Sequence, residues 1–195
     1  YDPVAQAFKT FLKEGRLGKL LHVKIETGSY LPDWRPGQDY KQSVSASKEL
    51  GGGVLLELSH ELDYIRWFFG EIHSCISHLS NSQHLGIDVE ECADIIFADS
   101  HGLPISVHLN FFQRHPMRRC VVTGGGGTAT WDAIANQIIW EPAEGEATIQ
   151  QFDVKRDALF QAQLEHFMLC VECGTPPIST LEDGLEVLKL VEAVR

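Results

Sequence analysis

Between positions 51 and 63 the chain reads Gly-Gly-Gly-Val-Leu-Leu-Glu-Leu-Ser-His-Glu-Leu-Asp, which places an imidazole among carboxylates at helical spacing. Residues three apart on a helix share a face, so Glu57 can lie beside His60. A carboxylate in that position orients an imidazole and raises its basicity, and an imidazole so held can take the proton of an alcohol as a general base. His60 is therefore the candidate base and Glu57 its candidate orienter. The same spacing also describes a helix histidine with a local hydrogen bond beside a solvated glutamate, and spacing alone leaves both readings open. Three glycines at the head of a helix weaken it by about 1 kcal/mol each relative to alanine. Close approach of a ligand or of another backbone is the usual return for that loss.

A second group lies in the irregular stretch from Ser29 to Leu50, with Tyr30 at its start and Trp34, Arg35 and Tyr40 within it. Loops of this length inside a domain are commonly functional. Aromatic rings and a planar guanidinium suit stacking on, and hydrogen bonding to, a sugar ring. Arg114, just beyond a strand ending at Phe112, could meet a phosphate or carboxylate. Each of these five is also a residue type that serves packing or solvation. Cys170 and Cys173 form a C-x-x-C inside a helical pattern without a second pair, and read as packing or surface thiols. His22, His73, His78 and His108 fall in strand-like stretches with no evident ligand constellation, so no metal is expected.

The elements that must position these residues follow from periodicity. Asp2 to Gly15 reads as a short helix with Pro3 in its first turn, and Leu20 to Gly28 as a strand with Leu21, Val23 and Ile25 alternating with polar residues. Gly51 to Gly70 reads as one helix whose apolar face is Leu55, Leu58, Leu62, Ile65 and Phe69, with Trp67 and Phe68 also in the core and Glu57, His60, Glu61 and Tyr64 opposite. Strands are expected at 71–79, 88–98, 103–112, 118–123, 127–132, 137–141 and 148–154, and closing helices at 157–171 and 180–195. Asp99 to Gly102 and Gly124 to Gly127 read as turns. This order predicts an α+β domain: a mostly antiparallel, open-faced sheet with helices packed on one face. The other face must be polar or meet something, and the alternation along 105–112 suits a second subunit.

No strand followed by G-x-G-x-x-G occurs, so a dinucleotide-binding fingerprint is absent. The 51–63 segment instead resembles the G-G-G-x-L-x-D-x-x-x-H-x-x-D region of the Gfo/Idh/MocA oxidoreductases. Further likeness lies in Gly15-Arg16-Leu17-Gly18-Lys19, in Tyr30-Leu31-Pro32-Asp33-Trp34-Arg35-Pro36, in the H-E-x-D-x-x-R-W run from His60 to Trp67, and in Gly126-Gly127-Thr128-Ala129-Thr130-Trp131. The resemblance implies that residues 1–195 form the substrate-binding and dimerising C-terminal domain, of the type found in glyceraldehyde-3-phosphate dehydrogenase. It further implies NAD or NADP as cofactor, bound mainly by an N-terminal Rossmann domain that is not in this chain. His60 then corresponds to the catalytic histidine, acting on a hydroxyl of a sugar, sugar nucleotide or cyclitol. Family members place an aspartate four residues before that histidine. Here that position is Leu56, and Glu57, Asp63 and Glu61 are the nearby carboxylates. The family's catalytic lysine, in an E-K-P motif of the first domain, has no counterpart.

Composition limits the alternatives. Of the 195 residues, 44% are hydrophobic and 22% charged, an ordinary composition for a folded domain. The formal charge of -11, with scattered bases, argues against nucleic acid and anionic membranes as partners. Five cysteines without a framework and the lack of a secretory pattern at the start suit a cytoplasmic location. The expected partners are a sugar or sugar-nucleotide substrate and further copies of the same chain, as a homodimer or homotetramer through the open sheet. Tyr1-Asp2-Pro3 reads as the start of a fragment that is inactive alone. The rival reading is a non-enzymatic sugar-binding or scaffold domain.

Overall fold

Strand β1 (Leu20–Tyr30) is the spine of the domain, because it pairs on both sides with strands far away in the chain. The computed structural model describes residues 1–195, the side chain of Arg156 excepted. On one side β1 runs parallel to β4 (Pro104–Asn110), with Ile25 opposite Val107. On the other it runs antiparallel to β5 (Phe112–Gly124), with Ile25 opposite Cys120. Strands β2 (Ile72–Ser80), β3 (Cys92–Asp99), β6 (Gly127–Asp132), β7 (Gln137–Pro142) and β8 (Thr148–Gln151) complete an eight-stranded sheet of order β2-β3-β4-β1-β5-β6-β7-β8. Every pairing except β1 with β4 is antiparallel. The expected α+β, mostly antiparallel open sheet is what forms.

Alternation along the strands gives the sheet two unlike faces. Val23, Ile25, Ile95, Phe97, Ile105, Val107, Cys120, Val122 and Trp131 point to one face and are buried there. They share a single core with Val4 and Phe8 of α1 (Pro3–Lys13), Leu55 of α2 (Val54–Glu57), Leu62 and Ile65 of α3 (Ser59–Phe69) and Val191 of α5 (Leu181–Val194). Each large apolar side chain fully buried there contributes roughly 1.5–3 kcal/mol. The opposite face carries a row in register, Ile76, Ile96, Ser106, Lys24, Val121, Thr130, Ile139 and Ile149, in which apolar and polar residues mix.

Helix starts follow local chemistry. Asp2 caps α1 by accepting from the N–H groups of Val4 at 2.8 Å and Ala5 at 3.3 Å, with Pro3 in the first turn. Thr180 and Asp183 form a reciprocal capping box on α5. Between these, α4 (Arg156–Cys173) is unusual. Its Phe160, Leu164, Phe167, Met168, Leu169 and Val171 are exposed, and Cys170 is its only buried residue among those described. Thus α1, α2, α3 and α5 cover one face of the sheet as expected, while α4 leaves its apolar side chains uncovered.

Several boundaries differ from expectation. The helix expected over 51–70 is two helices, broken at Leu58, whose φ of -104° and ψ of 21° leave the helical region. The turn there lets Leu55 and Leu62, on different axes, both reach the core. The three glycines precede α2 rather than belong to it. A Cβ on Gly52 would sit 2.2 Å from the Val44 carbonyl oxygen, and one on Gly53 2.3 Å from Glu90 Oε1, so the close approach is to the chain's own loops. β3 begins at Cys92 rather than Asp88 because the buried Glu91 carboxylate organises the loop before it. That carboxylate accepts from the N–H groups of Ser82 at 3.0 Å and Leu85 at 2.8 Å and from the Ser82 hydroxyl. β5 takes in residues 112–117 as well, and β8 stops at Gln151. Trp67 is at the surface, its ring under the Lys9 ammonium at 4.1 Å, and Phe68 and Phe69 are only half-buried.

Gly52→Ala is expected to cost about 2 kcal/mol through overpacking against the 44–45 backbone, measured as a shift in the denaturation midpoint. Gly125→Ala, where a Cβ meets nothing within 4 Å, is the control and is expected to stay within about 0.5 kcal/mol.

Candidate active site

The site is organised by a buried charge. Glu61, in the first turn of α3, is 1% exposed, yet it is a carboxylate. Its Oε1 lies 2.9 Å from Nε of Arg118 on β5 and 3.1 Å from Nε2 of His60. Arg118 Nε also donates to the Tyr64 hydroxyl at 2.8 Å, one turn further along α3. The Tyr64 ring is held between Trp131, edge-on at 5.2 Å, and Phe68 at 5.7 Å. Helix α3 and strand β5 are thereby fixed to one another at the residue next to the candidate base.

Burial pushes the Glu61 carboxyl up. The bond from His60, the charge of Arg118 and the Tyr64 hydroxyl outweigh it and hold the group below the usual glutamate range. Burial and the neighbouring Glu61 charge push the Tyr64 phenol well up, so it stays protonated while its oxygen accepts from Arg118 Nε. For Arg118, burial alone would lower the guanidinium, but Glu61 and Tyr64 more than compensate. The positive end of α3 adds to the stability of an ionised Glu61 in its first turn.

His60 itself is half exposed at the start of α3. With Nε2 turned to the Glu61 carboxylate, Nδ1 is the ring nitrogen left to face a substrate. The partnership expected from spacing, Glu57 with His60, does not form. The break at Leu58 puts the two residues on separate helices, and among the described residues Glu57 makes no hydrogen bond or ion pair to His60. Asp63 is exposed and makes none either. Its carboxyl is pushed up by partial desolvation and by the charge of Asp183 of α5.

The aromatic and basic group divides. The Arg114 guanidinium lies over the Tyr30 ring, 3.5 Å from its centroid. Trp34 Nε1 donates to Ser29 Oγ at 2.8 Å, and its ring meets Phe111 edge-on at 5.4 Å. Arg35 is exposed to solvent. The Tyr40 hydroxyl is committed to the Leu85 carbonyl at 2.7 Å and therefore staples two loops. Register relates the two groups: Arg118 is opposite Thr27, and Phe112 opposite Tyr30. Three residues of strand separate Thr27 from Tyr30, about 10 Å, so both groups lie at the same end of the β1–β5 ladder.

Arg118 was not singled out by its sequence position. The available signal was its place two residues before Cys120 and four before Val122, on the core-facing side of a strand. An arginine there requires a buried acid.

A domain of this kind, an open sheet covered on one face by helices and carrying an acid-held histidine at one end, has known relatives. Residues 5–130 match the family model described as the GFO/IDH/MocA C-terminal domain, and the chain belongs to that family. Among solved structures, it is similar to aldose-aldose oxidoreductase from Caulobacter crescentus complexed with glycerol. That match has a TM-score of 0.82 at 21% identity over 97% of this chain and 56% of that one. It is also similar to the WlbA dehydrogenase from Bordetella pertussis in complex with NADH and UDP-GlcNAcA, with a TM-score of 0.76 at 20% identity over 99% and 58%. Levoglucosan dehydrogenase in complex with NADH gives a TM-score of 0.82 at 16% identity over 98% and 60%. The chain thus spans less than two thirds of the length of these neighbours. No curated protein matches the sequence.

Glu61→Gln is expected to destabilise the domain by about 3 kcal/mol at neutral pH by leaving Arg118 unpaired. A carboxyl depressed in the folded state stabilises fully above its unfolded value near 4.3 and loses that contribution as pH falls through its folded value. The gap between wild type and Glu61→Gln in denaturant midpoints should therefore narrow as pH drops below about 4. A gap unchanged down to pH 2 would remove the ionised pair from the account.

Proposed function

We propose that this chain is the substrate-binding and catalytic C-terminal domain of an NAD- or NADP-dependent oxidoreductase acting on a hydroxyl of a sugar, sugar nucleotide or cyclitol. The observation that carries this reading is the half-exposed His60 held through Nε2 by the buried Glu61, in a domain of the GFO/IDH/MocA family. Nicotinamide chemistry supplies hydride exchange at the carbinol carbon, and the hydroxyl proton falls to this chain. His60 Nδ1 takes that proton when the alcohol is oxidised and returns it when the carbonyl is reduced. The imidazolium formed on the way is stabilised by the adjacent Glu61 carboxylate, whose place is in turn fixed by Arg118. Tyr30 with Arg114, and Trp34, near the same end of the β1–β5 ladder, are the residues offered to stack on and hydrogen-bond a polyol ring. Solved neighbours in complex with NADH, with UDP-GlcNAcA and with glycerol support the cofactor and the substrate class.

The dinucleotide belongs on another domain. Both glycine clusters of this chain are filled by its own atoms: Gly52 and Gly53 by the Val44 carbonyl and Glu90, Gly124 and Gly126 by the carbonyls of Leu17 and Arg16. They offer no cradle for a pyrophosphate. The uncovered apolar residues of α4 suit contact with such a domain, and the mixed outer face of the sheet suits a second copy of the chain. No described helix is long and apolar enough to cross a membrane. Five free thiols suit a reducing compartment such as the cytoplasm.

His60→Ala in the full-length protein is expected to lower kcat by about 10²–10⁴-fold with little change in stability, measured by nicotinamide absorbance on a panel of sugars. Unchanged turnover would remove His60 from the reaction, and wild-type protein that binds sugars without turnover would favour a non-enzymatic binding domain. For assembly, Ile96→Lys, on the exposed outer face one strand in from the β2 edge, is expected to shift the protein toward monomer in sedimentation equilibrium. An undisturbed oligomer would place the interface elsewhere.

A further inference from the structure

The outer face of the sheet holds a group of side chains that the proposed chemistry does not use. Cys92 and Asp94 are two residues apart on β3 and so project from the same side. Register sets Asp94 opposite His108 and Cys92 opposite Asn110 on β4. The Cys92 thiol, an Asp94 carboxylate oxygen and a His108 ring nitrogen all lie within 4.8 Å of one another. His108 Nδ1 is 2.7 Å from Asp94 Oδ1, and Cys92 Sγ is 3.6 Å from Asp94 Oδ2. Ligand atoms around one four-coordinate cation with bonds of about 2.0–2.3 Å stand roughly 3.3–3.7 Å apart; the Cys92–Asp94 separation has that size, and the His108–Asp94 hydrogen bond would open by about half an ångström to admit the ion. Read one at a time along the sequence, the histidines showed no ligand constellation. The ligands converge only because the strands pair.

The surroundings of the group favour a site over a chance meeting. Asn110, 1% exposed, places its side-chain amide 3.1 Å from His108 Nε2 and turns the opposite nitrogen toward Asp94 and Cys92. Orientation of a ligating imidazole through its other nitrogen is how metal sites fix the ring. Asn110 is held at both ends, its Nδ2 meeting His108 Nε2 and its carbonyl accepting from the Phe112 N–H at 3.2 Å. That amide lies where a side chain at position 28 would otherwise be: a Cβ on Gly28 would come 2.5 Å from Asn110 Nδ2. Gly28 therefore makes room for the residue that orients the ring. Cys92 is 6% exposed and His108 and Asp94 progressively more so, which leaves one side of the group open to a water or an incoming ligand. His78 stands opposite Asp94 on the neighbouring strand β2.

We propose that Cys92, Asp94 and His108 bind one divalent transition-metal ion of borderline softness, Zn²⁺ in particular, with a fourth position open on the outer face of the sheet. One thiolate, one imidazole and one carboxylate match the donor preferences of zinc rather than those of magnesium or calcium. The site is on the opposite side of the sheet from α3 and His60, so it is separate from the proposed hydroxyl chemistry.

The test is a titration of chelator-treated full-length protein with Co²⁺, followed by absorption. One equivalent is expected to give the near-ultraviolet thiolate-to-cobalt band with visible bands of a low-coordinate ion, and one equivalent of Zn²⁺ should abolish both. Cys92→Ala and, as a variant that keeps a polar side chain, His108→Gln should each weaken binding at least tenfold. His73→Ala, at an exposed position on β2, should bind as wild type does. Circular dichroism establishes that the variants are folded. No thiolate band at one equivalent, or the same band in folded Cys92→Ala, would overturn the proposal, the latter by assigning the cation to another thiol. Turnover of sugars plays no part in the readout, so failure here is distinguishable from failure of the oxidoreductase reading.

Discussion

An ionised carboxylate inside a protein must be met by a positive charge, and the requirement at Glu61 ties this site together. Arg118 answers it from β5 and His60 from the adjoining residue, while the Tyr64 hydroxyl, on the next turn of the helix, accepts from Arg118 and holds it in place. The desolvation of such a group is costly, and a well-packed apolar replacement is often as stable. What the charge confers is position. Helix α3 cannot slide or rotate along the sheet without separating Glu61 from Arg118, and His60 is adjacent to the anchored residue. The histidine is thus placed by a contact between distant parts of the chain, while its ring stays at the surface where a substrate can reach it.

The two faces of the sheet divide the work. The inner face, sealed by four helices, provides the cohesion that holds the end of the β1–β5 ladder, with Tyr30, Arg114, Thr27 and Arg118, in one place. The outer face is neither a plain solvent face nor a core. Its row from Ile76 to Ile149 mixes exposed isoleucines with serine, lysine and threonine, a composition suited to a surface that is covered part of the time or by a polar partner. The nearby side chains of Cys92, Asp94 and His108 lie on that same surface. Helix α4 is a third case. Its apolar side chains Phe160, Leu164, Phe167, Met168, Leu169 and Val171 are interleaved with Gln161, Gln163, Glu165 and Glu172 rather than gathered on one face, and among its described residues only Cys170 is buried.

Much of the architecture was legible because period-2 alternation is strong in the strands around residues 23, 95, 107 and 129, and because Pro3 marks the start of the first helix. The break at Leu58 was not legible. The leucines of both helices continue one apparent face across it, and the break serves burial of Leu55 and Leu62 on separate axes, a tertiary demand. From that break follows the change of partner for His60, from a residue three positions before it to the residue directly after. Neighbours in sequence do not face each other on a regular helix, and Glu61 reaches His60 because both side chains lie in the first turn, where the helix is only beginning. Tyr40 looked like a ligand-facing aromatic and is instead a loop staple, since its hydroxyl found a carbonyl 45 positions away. Pairings across strands were the least legible, because register is decided by the whole sheet.

The placement of β1 at the centre sets the order in which the domain can be built during synthesis. Its two neighbours are separated from it by some 80 to 100 residues of chain, and contacts of such separation form slowly. Until β4 and β5 have emerged, β1 has no partner on either edge, while β2 and β3, joined to each other, can already pair. At typical ribosomal speeds of roughly 5–20 residues per second, the first strand waits on the order of five to twenty seconds with both edges open. α1, α2 and α3, all translated before β4, are the helices present during that interval to shield its core-facing side.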